Sequence, residues 1–218
     1  MTEDSADRPA GRRYSGRTTE ERVQQRRAAL LAAALELFGT QGYAAGSVKQ
    51  LCGIAGLTER YFYESFRDRE ACLSALYDEL TAALRERTLA ALHASEEELD
   101  GLIAAGLAAF IGYLTEDPRR ARVVLIEVVG VSARMEARRH GVLREYAELV
   151  AGLWATARAE PLSEHSRLTC VTVVGGVNHL LVDWLMDGSA TAPDDLVEVA
   201  AGVFAAVRAT DPALAQDR

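Results

Sequence analysis

Apolar residues recur three and four positions apart along most of this chain, which is the period of amphipathic helices. Leu31, Ala34, Leu35 and Phe38 form one stripe, Leu73, Leu76, Tyr77, Leu80 and Leu84 a longer one, and Leu196, Val199, Ala200, Val203 and Val207 a third. Capping residues bound these segments. Thr18 and Glu21 have the spacing of a capping box before the first stripe, which ends at Gly39 and Gly42. Ser47 and Gln50 repeat that spacing before a short helix with Val48, Leu51 and Cys52 on its apolar face, expected to stop near Gly53. Gly56 then offers a turn position, and Thr58 and Asp68 are placed to cap the third and fourth helices, Thr58 through its hydroxyl. Further helices are expected near 96–115, 118–129, 133–158, 163–187 and 193–209, with Pro118, Pro161 and Pro193 close to their starts. No segment shows a convincing strand alternation, and no internal repeat is evident. The expected fold is all-α, with a polar tail over 1–17, a three-helix helix-turn-helix unit over 18–67 and a larger helical unit over 68–218.

The run Leu57–Glu70, LTERYFYESFRDRE, places three aromatics side by side, which neither helical nor strand periodicity explains. In a helix begun at Thr58, Phe62 and Phe66 share one face, while Tyr61 and Tyr63 lie about 100° to either side of Phe62 and Arg60 points further outward. Phe62 and Phe66 then anchor the core, and the tyrosine hydroxyls can reach a phosphate or a base edge. A helix held to its domain by one side and presented to a DNA groove by the other has this construction.

Charge refines the picture. The net charge is -8, which by itself disfavours a polyanionic partner. The excess acid lies entirely in residues 71–218, with 13 basic against 22 acidic side chains, whereas residues 8–27 hold seven arginines and two glutamates. Lys49, the only lysine, also falls in the N-terminal part. A basic segment on an acidic protein is an electrostatic footprint for nucleic acid. Cys52, Cys72 and Cys170 fit no metal or redox spacing and read as buried thiols. No signal-peptide core and no apolar run of about 18 residues is recognised, so a cytoplasmic protein without membrane association, metal or cofactor is expected.

The segment Gly46–Glu70, GSVKQLCGIAGLTERYFYESFRDRE, resembles the DNA-binding segment of TetR-type (tetracycline-repressor-like) transcriptional regulators, and the preceding helix and all-helical length also fit. The resemblance implies a sequence-specific DNA-binding regulator, in its commoner form a ligand-responsive repressor that acts as a homodimer on a palindromic operator. It implies that Tyr63 hydrogen-bonds a phosphate, that Arg69 stands in for a phosphate-binding lysine, and that Ser47 and Thr58 make backbone-directed or phosphate contacts. Lys49, Arg60 and Tyr61 complete the expected DNA-binding set, with Arg60 able to read guanine through its bidentate fork. Ser65, Arg60 and Tyr61 depart from the residues common in the family at their positions, so no operator sequence carries over from a relative.

In the second unit, the apolar positions of residues 168–186 cover more than half the helical circumference, a helix that must bury two sides. By the resemblance, this helix and the last one form a four-helix dimer interface with their symmetry mates. Asn178 lies within that apolar arc, and Glu127 interrupts the run VVLIEVVGV. Such groups need a partner, either a ligand or a neighbour inside the core. The expected ligand site is a mostly apolar pocket with Phe110, Tyr113, Val131, Tyr146 and Trp154 as walls and Glu127 and Asn178 as polar anchors. Two other classes stay open: a non-specific DNA-binding protein, and a helical enzyme using His179 and Asp183, four apart on one face, as base and orienting carboxylate or as metal ligands.

Overall fold

A computed structural model describes residues 18–158 and 162–210. The basic tail 1–17 and Pro161 lie outside the described residues. The described residues form nine α-helices and no strand: α1 Thr19–Thr40, α2 Val48–Ala55, α3 Glu59–Ser65, α4 Arg69–Ala94, α5 Leu99–Thr115, α6 Pro118–Arg122, α7 Ala133–Arg158, α8 Glu164–Met186 and α9 Pro193–Thr210. The π-helical segment Val123–Glu127 continues α6, so the single helix expected over 118–129 is an α-turn followed by a wider one.

Local sequence explains most boundaries. Thr18 and Glu21 form the reciprocal capping box of α1. Ser47 accepts from the Gln50 backbone N–H, but its hydroxyl donates to the Gln50 side chain, so only half of the expected box forms. α2 runs past Gly53 to Ala55 and ends on Gly56, whose φ of 65° is the left-handed cap that glycine tolerates best. Thr58 is the N-cap of α3, yet its side chain makes no capping hydrogen bond, contrary to expectation. Asp68 does cap α4, accepting from the Ala71 N–H at 2.7 Å.

Helices α1, α2 and α3 close around Phe38, Leu51, Phe62 and Phe66, all buried. The core of this small unit is continuous with that of the larger bundle because α4 starts beside α3 and then packs along α5. The C-terminal end of α1 lies against α6 so closely that a Cβ at Gly39 would stand 2.5 Å from the Arg119 Cβ. α9 packs on α5, and α7 on α8. In α9, Leu196, Ala200 and Phe204 turn inward while Val199 and Val203 face outward, so the expected single stripe is divided between two faces. α8 is long and apolar enough to cross a membrane by length and composition, contrary to the expectation that no segment would be. Cys170, Val173, Val177, Leu181 and Trp184 of α8 are buried within this chain.

Burial pushes the Cys72 thiol from 9.0 up to about 12, and the Tyr77 and Tyr146 hydroxyls from 10.0 up to about 12. Raised values in the folded state mean that the unfolded chain releases these protons first. The associated stability is therefore whole below pH 9.0 and is lost as pH rises towards about 12. Urea midpoints taken across that window should fall steadily, with the tyrosinate absorbance of the buried Tyr77 and Tyr146 appearing only together with unfolding; a midpoint flat across the window would contradict these burials.

Candidate nucleic-acid interface and effector cavity

α3 presents the geometry that its aromatic triplet requires. Phe62 is fully buried, and Phe66, just beyond the helix, packs beside it with ring centroids 5.7 Å apart. Tyr63 is 57% exposed. Tyr61 is only half-buried because the Arg26 guanidinium of α1 lies 4.5 Å from its ring centroid. Arg60 is exposed and pairs with Glu64 at 3.0 Å, and Glu64 also meets Arg26 at 3.9 Å. Glu64 thus holds Arg60 along the helix surface, a role that no spacing argument had assigned to it.

An open depression of about 570 Å³ lies between the α1–α2 loop, α3 and the start of α4. It brings Ser47, Tyr63 and Arg69 together and adds Arg67, which the sequence reading had passed over. Lys49 and Thr58 are exposed on α2 and before α3. Arg69 is already engaged: its Nη1 donates to the Tyr43 carbonyl at 3.0 Å and to the Gly46 carbonyl, and its guanidinium lies 4.8 Å from the Tyr43 ring centroid. A guanidinium carries five N–H groups, so donors remain for an anion. Arg67 pairs with Asp68 at 3.0 Å and is largely exposed. Tyr63, Ser47, Arg67 and Arg69 therefore offer several donors to one open depression, while Asp68 and Glu70 moderate its charge.

The same loop is gripped from the other side. The Glu127 carboxylate accepts from the Tyr43 N–H at 2.6 Å and from Arg122 Nε at 2.9 Å, and Arg122 also donates to the Thr40 carbonyl at 2.8 Å. Gly42 has φ +94°, and a Cβ there would stand 3.3 Å from both Glu127 carboxylate oxygens. Glu127 was expected to anchor a ligand; its hydrogen bonds instead go to the joint between α1–α3 and the larger bundle.

An apolar cavity of about 70 Å³, open at one side, lies among α4, α5, α7, α8 and α9. Phe110 and Tyr146 line it as expected, their rings meeting edge-on at 5.0 Å. The other expected walls lie elsewhere. Tyr113 is buried beneath Arg87 and Arg120, whose guanidinium carbons stand 5.2 and 4.6 Å from its ring centroid. Val131 is half-buried beside the joint segment, and Trp154 packs behind the lining residue Phe204 with ring centroids 6.3 Å apart. Asn178 is half-buried on α8 and does not face the cavity. Sequence reasoning missed Thr88, Gly106 and Phe204; the inward period of α9 was the available signal for Phe204. Three polar groups stand out inside this region. Trp154 Nε1 and the Tyr146 hydroxyl are shut off from solvent with no hydrogen-bond partner of standard geometry, and the buried Thr88 hydroxyl donates to the Leu84 carbonyl at 2.9 Å.

His179 and Asp183 are exposed on α8 and are not hydrogen-bonded to each other. Among the described residues, no group of three or more His, Cys, Asp or Glu side chains is arranged to hold a metal ion.

Residues 30–76, from the middle of α1 into α4, match the family model of bacterial regulatory proteins, tetR family. Among solved structures, the fatty acid degradation regulator FadR from Bacillus halodurans is 16% identical, with 82% of this chain and 93% of that one covered and a TM-score of 0.72. The transcriptional regulator FadR from Bacillus subtilis, solved in complex with stearoyl-CoA, is 18% identical over 83% of this chain and 96% of that one, with a TM-score of 0.68. A TetR-like transcriptional regulator from Rhodococcus sp. RHA1 is 15% identical over 85% and 97%, with a TM-score of 0.71. No curated protein matches the chain in sequence. Residues 30–76 thus match the tetR-family sequence pattern, and the whole chain has the fold of TetR-type transcriptional regulators.

Removing the Glu127 carboxylate takes an acceptor from the Tyr43 N–H and a partner from Arg122. Glu127→Ala should cost about 2 kcal/mol of stability, a fall in Tm of about 4–8 °C, and weaken DNA binding while the helical content persists. Glu127→Gln keeps an acceptor for Tyr43 and should lose about half as much. Circular dichroism melts with parallel DNA titrations check this; wild-type behaviour of Glu127→Ala would remove the joint from the account.

Proposed function

We propose that the protein is a ligand-responsive transcriptional repressor that binds a palindromic operator as a homodimer through paired α3 helices. The observation that carries this reading is the construction of α3: Phe62 fully buried on one side, with Arg60 and Tyr63 exposed on the other. In the bound state Tyr63, Ser47, Thr58 and Arg69 serve the phosphate backbone together with Lys49. Arg60 and Tyr61 face base edges, with Arg60 exchanging Glu64 for guanine.

Leu168, Val171 and Met186 of α8 and Val199 and Val203 of α9 leave large apolar side chains exposed, from 48% to 72%. Their distribution on two adjacent helices supports a four-helix interface with a second copy, which would set the recognition helices about 34 Å apart, one turn of DNA. The effector is a small molecule with a largely apolar body that enters the cavity between α4 and α9. The likeness to a FadR solved with stearoyl-CoA supports such a ligand class. At about 70 Å³ the cavity is several-fold smaller than ordinary ligand sites, so entry of a ligand must displace its walls, and α4 carries that displacement towards α3. The effect on DNA affinity equals the ligand's preference for one form over the other.

Fluorescence anisotropy on the DNA upstream of the protein's own gene, against a scrambled duplex at the same salt, tests the function. The wild type should prefer the upstream DNA, and the Tyr63→Phe, Arg60→Ala double variant should lose about 2–4 kcal/mol of that binding and most of the preference. Equal weak binding to both duplexes would favour a non-specific DNA-binding protein. Absence of DNA binding, with an activity lost in His179→Ala, would favour the enzyme.

The pairing is tested separately by sedimentation. A Val199→Glu, Val203→Glu variant buries carboxylates against an apolar partner surface, should raise the dimer dissociation constant at least about 30-fold, and should lose operator binding with it. A variant that stays dimeric would place the interface elsewhere.

A further inference from the structure

Tyr146 and Leu149 line the apolar cavity, and both residues also line a separate groove of about 660 Å³ between α4 and α7. The two spaces differ in chemistry. The cavity is walled by hydrocarbon and aromatic side chains except at Thr88 and the Tyr146 hydroxyl, whereas the groove is lined by charged groups from both helices. Its acids are Asp78, Glu145 and Glu148, and its bases are Arg85, Arg138 and Arg144. Arg138 is bound to Asp78 at 2.7 Å, and Glu148 is drawn away to Arg167 at 2.9 Å. Among the described residues Arg85 and Arg144 make no ion pair, which leaves these two cations in the groove beside Glu145.

The boundary between the spaces holds a poorly satisfied hydrogen-bond donor. The Tyr146 hydroxyl is removed from solvent with no hydrogen bond of standard geometry; its polar neighbour is Thr88, whose hydroxyl donates to Leu84 and keeps lone pairs able to accept. Burial raises the affinity of this hydroxyl for its proton, while Thr88 and the positive charge of Arg85 act against that rise. Tyr146 is thus a buried donor with only the Thr88 oxygen beside it, placed within the field of an arginine at the mouth of an apolar cavity. Leaving such a donor poorly satisfied costs stability, which a ligand oxygen would recover.

Resting on the effector reading above, we propose that the effector is an anionic amphiphile: its chain occupies the cavity, an oxygen accepts from the Tyr146 hydroxyl, and its negative charge lies in the α4–α7 groove against Arg85 and Arg144. A carboxylate at the end of the chain and a phosphate carried beyond it share this chemistry. The Phe110–Tyr146 contact is the wall that must give way to admit the chain. Arg85 and Thr88 belong to α4, so the head group acts on the helix that starts beside α3.

The test uses the full-length protein with dodecanoate, dodecyl phosphate and dodecanol, each below its micellar concentration, binding being read by calorimetric titration and melting temperature. The proposal expects at least one anion to bind about tenfold or more tightly than dodecanol, and the stronger of the two identifies the head group. Arg85→Gln and Tyr146→Phe should each close most of that gap while leaving dodecanol binding nearly unchanged. Equal binding of dodecanol and both anions, or a gap that survives both substitutions, overturns the anionic head group and leaves the apolar effector site standing. Binding of none of the three overturns the head-group assignment together with the cavity as effector site. Ligand-free anisotropy on upstream DNA, run on the same preparation, reads the regulator function independently of all these outcomes.

Discussion

The loop between α1 and α2 is held from both faces, and the coupling of the two units depends on that double grip. On one face Glu127 accepts from the Tyr43 N–H and holds Arg122, which reaches the Thr40 carbonyl; on the other, Arg69 donates to the carbonyls of Tyr43 and Gly46. These are hydrogen bonds to charged groups in a partly buried setting, stronger than neutral ones and sensitive to displacement. The close approach has steric consequences written into the chain. Gly39 lies against Arg119, and Gly42 combines a positive φ with carboxylate oxygens where a side chain would begin. A movement of the π-helical segment or of α4 therefore acts on backbone groups that fix the start of α2 and, through it, the setting of α3.

α3 itself divides its labour by angle. Phe62 and Phe66 secure it to the domain, Tyr63 and Arg60 remain outside, and Arg26 of α1 covers one face of Tyr61. The cation–π contact and the Glu64 ion pairs limit how freely these exposed groups move before they meet a partner. A recognition helix of seven residues has little stability of its own. Its rigidity comes from the buried rings and from the helices packed behind it.

The larger bundle combines a close-packed core with one small cavity whose polar groups are incompletely satisfied. That combination supports the proposed effector site: an apolar void lined only by aliphatics stays empty at modest cost, whereas a buried hydroxyl held at poor geometry favours a better-placed acceptor. The cavity touches α4, the same helix that begins at the DNA-facing depression. With about 1.5 Å of rise per residue, the 26 residues of α4 span about 39 Å as one hydrogen-bonded rod. In the proposed function, this single element is what would link ligand accommodation to the setting of α3.

The sequence by itself determined where most helices lie, because caps and apolar period are local: Thr18 with Glu21, Gly56, Asp68, Pro118 and Pro193 mark the ends that the structure adopts. It also determined the sidedness of α3, since Phe62 and Phe66 share a face by geometry alone. Tertiary structure decided what the isolated polar residues do. Glu127 interrupts an apolar run and looked like a ligand anchor, but its partners come from residues far away in the chain, Tyr43 and, through Arg122, Thr40. Arg69 is likewise drawn to carbonyls of a preceding loop, and Trp154 and Asn178 turn away from a cavity that Thr88 and Phe204 enter. Helical period states which side of a helix is apolar; which neighbour meets that side, and which polar group finds its complement there, depends on how the helices cross.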